Sequence, residues 1–424
     1  MTQEIDAAAI RLLDFGRQRW RPVQQLLNAR LGRQFPKEKR KRVLLIHMDD
    51  RLAWPQFYPF YHFADRFAEQ GFAFRSVPYP ALQAEHLVKE ADAIFMQAPY
   101  HVEQGELTAL LERLTIDNPD APITYFDWFA PTDVRFADQV ADHVAFYAKK
   151  GLERDRSYYA RPQRSHTALG DYYADMFDLH PDRPTWEHRP DIVDRLVLAP
   201  AFATSPTLLP AFERHAEPLR GDRPIDLHAR FAIAPAALHE QGRVDAGRHS
   251  HWYAVMRKHA REAIAGLADK YRIAWQGRVP NSKFMAELEQ SMLCFSPYGF
   301  GELCWRDLEA VLAGAVLIKP SMTHLDCLYG IYRPGETYVP VRRDLADLDE
   351  TVARLLADPE ECRAIAQRAL AAMRAYLAGP RLTMLLDTLV SAHAYRKPLP
   401  KPVDKPQILV AGRAKAVDSF ADSR

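Results

Sequence analysis

No stretch of the sequence approaches the roughly 18 consecutive apolar residues of a membrane-spanning helix, so no span is expected. Cysteine is rare: Cys294, Cys304, Cys327 and Cys362 form no Cys-x-x-Cys pair and no even ladder of spacings. Neither a zinc site nor a disulfide framework follows, and a reducing, cytoplasmic setting fits best. The opening MTQEIDAAAIRLLDFGRQRW lacks the basic start, apolar middle and small-residue cleavage site of a signal peptide. Net charge is also missing. The 56 basic and 55 acidic residues leave +1, which argues against a general nucleic-acid binder. The remaining composition, 48% apolar and 26% charged, is that of a globular protein. A chain of 424 residues exceeds one ordinary core, so two domains are expected.

Residues 1–42 read as a basic helical extension, with Leu12, Leu13, Phe15, Trp20, Leu26, Leu27 and Leu31 as its apolar complement. Such a segment suits peripheral contact with an anionic membrane face. An extra helix pair packed on the first domain is the favoured alternative.

From Val43 the pattern becomes strand alternating with helix. Strands are expected at Val43–His47, Phe72–Val77, Ala93–Gln97, Ile123–Phe126 and His143–Ala148, with helices at Phe60–Gln70 and Gly105–Thr115. Residues 151–222 read as elaboration and connection, and residues 43–222 as one α/β domain. A second α/β domain, 223–392, is expected from strands at Ile225–Phe231, Tyr271–Gln276, Met292–Ser296, Val316–Lys319 and Thr337–Val341. Its helices fall at His251–Lys270, Lys283–Gln290, Trp305–Ala313, Asp347–Ala357 and 359–378. An irregular tail, 393–424, follows. The expected fold is α/β, two doubly wound Rossmann-like domains facing a cleft. Ligands on such sheets sit beyond the strands' C-terminal ends, which directs attention to Asp50, His101 and Asp127.

The most informative stretch is MLCFSPYGFGELCWRDLEAVLAG. An apolar strand ends at Ser296, and Pro297, Gly299 and Gly301 make a tight turn in which glycine permits close approach of a ligand. A helix is expected to begin near Glu302, its unpaired amides offering a phosphate seat. Glu302, Arg306 and Glu309 then share one polar stripe. Arg306 suits a diphosphate, and Glu309 suits ribose hydroxyls. An ordinary row of surface salt bridges would show the same spacing.

Ser291, Phe295, Pro297, Gly299, Arg306, Glu309, Ala310, Gly314 and the strand Ala315–Lys319 together resemble the C-terminal donor-binding domain of exostosin-like and related GT-B glycosyltransferases. The resemblance extends over most of the second domain; the first matches only in architecture. It implies a nucleotide-sugar donor on the second domain and a glycan or lipid-linked acceptor on the first. Retaining relatives often carry two glutamates eight positions apart, whereas Glu302 and Glu309 are seven apart, so retaining or inverting chemistry stays open.

Further donor-side candidates are Arg230 and Arg248, in the loop after the Ile225 strand, and Gly277, after the Tyr271 strand. No metal site is expected, because no His-x-x-Glu-His or equivalent spacing occurs. No cofactor is implied either. The acceptor base is expected from Asp50, with His101 and Asp127 as rivals. A glycosyltransferase is the leading reading. A turnover-deficient binding protein of the same fold, or another nucleotide-sugar enzyme such as an epimerase, are the alternatives.

Overall fold

The computed structural model describes residues 35, 41–79, 89–100, 102–162, 168–179, 188–214, 223–233 and 251–394. Its first sheet begins with β1 (Lys41–His47), whose run Val43–Ile46 is fully buried because helices cover both faces. Then come α1 (Trp54–His62), α2 (Ala64–Glu69), β2 (Phe72–Pro78), β3 (Ala93–Met96), α3 (Gln104–Asp117) and β4 (Ile123–Asp127). The domain continues with α4 (Ala137–Val140), β5 (Phe146–Lys149), the short β6 (Leu152–Glu153), α5 (Ala168–Met176), α6 (Pro190–Val193), β7 (Leu196–Leu198) and α7 (Leu208–Arg214). The parallel sheet runs β2-β1-β3-β4-β5-β7.

The second domain comprises β8 (Ile225–His228), α8 (His251–Ala265), β9 (Ile273–Ala274), α9 (Asn281–Glu289), β10 (Ser291–Phe295), α10 (Trp305–Leu312) and β11 (Val316–Pro320). It is completed by β12 (Leu325–Asp326), β13 (Val339–Val341), α11 (Leu348–Ala357), α12 (Pro359–Ala378) and α13 (Arg381–Ser391). Its parallel sheet runs β13-β11-β10-β8-β9. Counted from each domain's first strand, both sheets share the doubly wound order 2-1-3-4-5, so each reverses direction beside its first strand.

The domains touch directly. β6 of the first pairs antiparallel with β12 of the second, Leu325 opposite Glu153 and Asp326 opposite Leu152. Arg154 Nε donates to Asp326 Oδ1 at 3.1 Å across the same seam. At the back, Lys41 of β1 meets Asp387 of α13 at 3.2 Å, and Arg66 donates to the Gly379 carbonyl.

Four sequence expectations need correction. The helix expected at Phe60–Gln70 is two, broken at Phe63, and the first starts earlier, with Pro55 in its opening turn, where a missing N–H costs nothing. Its aromatic cluster Trp54, Phe57, Tyr58, Phe60 and Tyr61 is buried in the core. The strand expected from His143 begins only at Phe146. Leu196–Leu198, placed in an elaboration, is the sixth strand of the first sheet. The helix α13 was not expected at all. The basic extension before Phe35, and the tail from residue 395, lie outside the described residues. No described helix is long and apolar enough to cross a membrane.

Candidate functional site

The turn after β10 is held from below by one buried carboxylate. Asp307 accepts from Ser296 Oγ (2.6 Å), Tyr332 Oη (2.6 Å), the Cys304 backbone N–H (3.2 Å) and Lys319 Nζ (3.2 Å). Ser296, Asp307 and Lys319 are fully buried. Asp307 caps α10, which therefore starts at Trp305 and not near Glu302. Ser296, expected on the donor side, is fully buried with its hydroxyl donated to Asp307, and Lys319 is the buried counter-charge of that carboxylate. Glu302 precedes the helix, so it does not share a stripe with Arg306 and Glu309.

The two glycines answer steric demands. A Cβ on Gly301 would stand 2.0 Å from the carbonyl oxygen of Ala130 in the first domain, so only glycine fits that approach. Gly299 donates its N–H to the Gly301 carbonyl at 2.9 Å, and a Cβ there would meet that same oxygen at 3.3 Å. Arg257 of α8 closes the turn from the side, its Nε donating to the Tyr298 carbonyl at 3.1 Å. Arg257 lies inside the expected helix His251–Lys270 and carries no motif of its own in the sequence.

Beside this turn, where the second sheet reverses between β8 and β10, three polar groups converge. Nε of Arg306 is buried without a hydrogen-bond partner. So are both ring nitrogens of His228, at the end of β8. Burial holds the His228 imidazole down to about 4, and the Arg306 charge adds to the effect, so the ring is neutral near pH 7. Burial raises the Glu309 carboxyl, while Arg306 and Arg51 pull it back. Arg51 comes from the first domain, just past β1, and lies 5.2 Å over the Trp305 ring. Trp305 stacks in turn on Phe202 at 4.6 Å. Cations from both domains, Arg51 and Arg306, thus act on the same carboxylate, Glu309.

Other donor-side candidates lie apart or are engaged. Arg230 is paired with Glu287 (Nη2 to Oε1, 3.0 Å) and donates to the carbonyls of Gln276 and Gly277, so it fastens β8 to the next strand-end turn. Gly277 sits exposed in that turn at φ +74°, a conformation that favours glycine. Arg248 lies outside the described residues, as does His101 of the first domain.

Of the first-domain carboxylates, Asp50 turns its Oδ1 onto the Leu52 N–H at 2.7 Å and its carbonyl onto the N–H groups of Ala53 and Trp54, which starts α1. Asp127 is fully buried: Oδ1 accepts from Phe129 N (2.8 Å), and Oδ2 from Tyr147 Oη and Lys149 Nζ (both 2.6 Å). Lys149, equally buried, has Asp133 on its other side at 4.0 Å. Asp127 therefore neutralises a core lysine. That is a physical correction to its place among candidate bases, because a base must reach the acceptor. Next in sequence, Lys150 points the other way, 4.6 Å over the Phe202 ring, and donates to the Trp128 carbonyl. Burial and the neighbouring Lys149 lower its ammonium to about 7.

Residues 248–387, most of the second domain, match the family described as Glycosyl transferase-like. No protein of curated function matches by sequence. Among solved structures, an α-glucosyltransferase in complex with UDP and DNA containing an HMU base aligns at 10% identity and TM-score 0.44, covering 83% of this chain and all of that one. HepE of Anabaena, in complex with UDP and glucose, aligns at 11% and 0.40, covering 83% and 100%. A UDP-forming trehalose-phosphate synthase of Burkholderia xenovorans aligns at 15% and 0.39, covering 79% and 82%. At these identities and TM-scores none of them carries its chemistry over to this chain. The second domain is glycosyltransferase-like by its family match, and two facing doubly wound sheets give the GT-B architecture.

Proposed function

We propose that this chain of GT-B architecture is a glycosyltransferase that moves a sugar from a nucleotide-diphosphate donor to a glycan or lipid-linked acceptor. The observation that carries the proposal is the unsatisfied cluster at the second sheet's reversal. Arg306 Nε and both nitrogens of His228 are buried with no partner beside Glu309. Native interiors pair nearly all such groups, so a buried cluster of unpaired donors beside a carboxylate is complementary to a polar ligand. A diphosphate matches the guanidinium, and a ribose diol matches the carboxylate. Arg51 approaches the same face from the first domain and would screen the charge of a departing diphosphate.

The acceptor faces the first domain in this reading. Asp50, whose Oδ1 accepts from the Leu52 N–H, follows the end of β1 and is the first-domain carboxylate to test as base. The near-zero net charge favours a glycan or lipid-linked acceptor over nucleic acid. Membrane contact through residues 1–42 belongs to the same proposal, resting on that segment's basic charge.

Isothermal titration with UDP, GDP and ADP tests the donor site. One of them is expected to bind, and Arg306→Ala to weaken it about 10-fold or more, since hydrogen bonds to charged groups contribute roughly 1.5–3 kcal/mol. Binding unchanged in Arg306→Ala would assign that arginine to structure alone.

A further inference from the structure

We propose that Glu153, Glu302 and His324 form a divalent-cation site that clamps the two domains together. The three residues come from separate segments. Glu153 ends β6, Glu302 follows the Gly301 contact with Ala130, and His324 immediately precedes β12. The antiparallel pairing of β6 with β12 brings Glu153 and His324 side by side across the domain seam. One ligand atom from each residue lies within 4.8 Å of the others. His324 Nε2 stands 3.6 Å from Glu302 Oε1.

The electrostatics of the cluster are unfinished without an ion. Glu302 is 1% exposed and neither of its carboxylate oxygens has a hydrogen-bond partner. Both nitrogens of His324 lack hydrogen bonds as well. Glu153 is also buried, and its carboxylate accepts from Thr132 Oγ1 at 3.3 Å. Two carboxylates withdrawn from water with so few donors cost several kcal/mol unless something positive joins them. His324 offsets part of that charge, and Arg343 acts on Glu153 electrostatically.

The geometry and donor set select the ion. Metal–ligand distances of about 2.0–2.3 Å place ligand atoms roughly 3–4.5 Å apart, so closure asks for a shift of only a few tenths of an ångström. Two carboxylates and one imidazole, with no thiolate, suit Mn2+, Fe2+ or Zn2+ better than Ca2+ or Cu+. Local spacing gave no hint of this site, because no two of its ligands lie within one turn of helix.

The test uses the full chain, stripped with EDTA and free of nucleotide, so it stands apart from the donor-site reading. Titration with MnCl2 and ZnCl2 is followed by calorimetry and thermal unfolding. One ion per chain and a saturable rise in melting temperature are expected. Glu302→Gln and His324→Ala should each weaken binding at least 10-fold, while His62→Ala, a remote histidine paired with Glu213, leaves it unchanged. No saturable one-equivalent binding by the wild-type chain overturns the proposal. Undiminished binding by Glu302→Gln and His324→Ala overturns it equally, by placing the ion elsewhere.

Discussion

Replacing Gly301 by alanine adds one methyl group where the backbones of the two domains are in contact. The new carbon would lie 2.0 Å from the Ala130 carbonyl oxygen, 2.6 Å from its carbon and 3.2 Å from Pro131 N. Ordinary contact begins near 3.4 Å, so the two loops must part by about 1.4 Å. Both sides of the clash are backbone, and no side chain can rotate away. Overpacking of this kind costs about 1–3 kcal/mol, and the depth of this overlap points to the upper end. Parting the loops also strains the β6–β12 pairing, which lies on the same seam.

The expected result is a lowered melting temperature and a larger radius of gyration by small-angle scattering. Nucleotide affinity should stay within about 3-fold, because Arg306, His228 and Glu309 belong to the second domain. Turnover, which needs both domains, should fall by an order of magnitude or more, as misplacements of 1 Å can do. Gly277→Ala is the control. Its φ of +74° strains alanine by about 1–2 kcal/mol, yet no atom lies within 4 Å of the added carbon. It should lose stability without any change in scattering. A Gly301→Ala protein with wild-type melting temperature and dimensions would refute the reasoning, since the domains would then not rest on each other at this point.

Two further expectations follow from buried charge. Asp127→Asn should destabilise the chain by about 3–5 kcal/mol in urea unfolding, because it leaves Lys149 facing only Asp133; stability retained with turnover lost would instead return Asp127 to the catalytic candidates. In metal-free buffer, the Glu153 carboxyl, raised from 4.5 to about 7, binds its proton more tightly in the folded chain. Its contribution is fully present below pH 4.5 and is lost as pH rises through 7, an effect on the order of 3 kcal/mol. Glu153→Gln should therefore gain stability relative to wild type between pH 5 and 8, and a flat difference would remove Glu153 from the cluster.

Much of the fold was legible because a buried parallel strand needs a short apolar run closed by a turn, and VLLIH, AIFM and VLIK each supply one. The reversal that places Arg306 and Glu309 was legible for the same reason. Leu196–Leu198 was harder to place, since three apolar residues among prolines and arginines carry no period, and only pairing with β5 makes them a strand. Helix α10 starts at Trp305, as the expected helix Trp305–Ala313 does. The phosphate-seat reading alone, which began it near Glu302, is a turn too early, because Asp307, a charged residue next to an arginine, resembles a surface group. Only the structure shows it accepting from Ser296, Tyr332, Cys304 and Lys319.

The same blindness affects every cross-domain feature. Strand-end position directs attention to the loop after β1, yet within Asp49-Asp50-Arg51 Oδ1 of Asp50 accepts from the Leu52 N–H at the start of α1, and Arg51 reaches the second domain. Position along a strand fixes which edge a residue occupies, and the turn beyond it decides which side chain faces the cleft. Likewise Glu302 was grouped with Arg306 by helical spacing, whereas the turn sends it across the seam toward Glu153 and His324. Gly301 is the hinge of that choice. Because it has no side chain, the first-domain loop can press against its backbone, and the residue after it is carried into the interface and away from the face that Arg306 and Glu309 share.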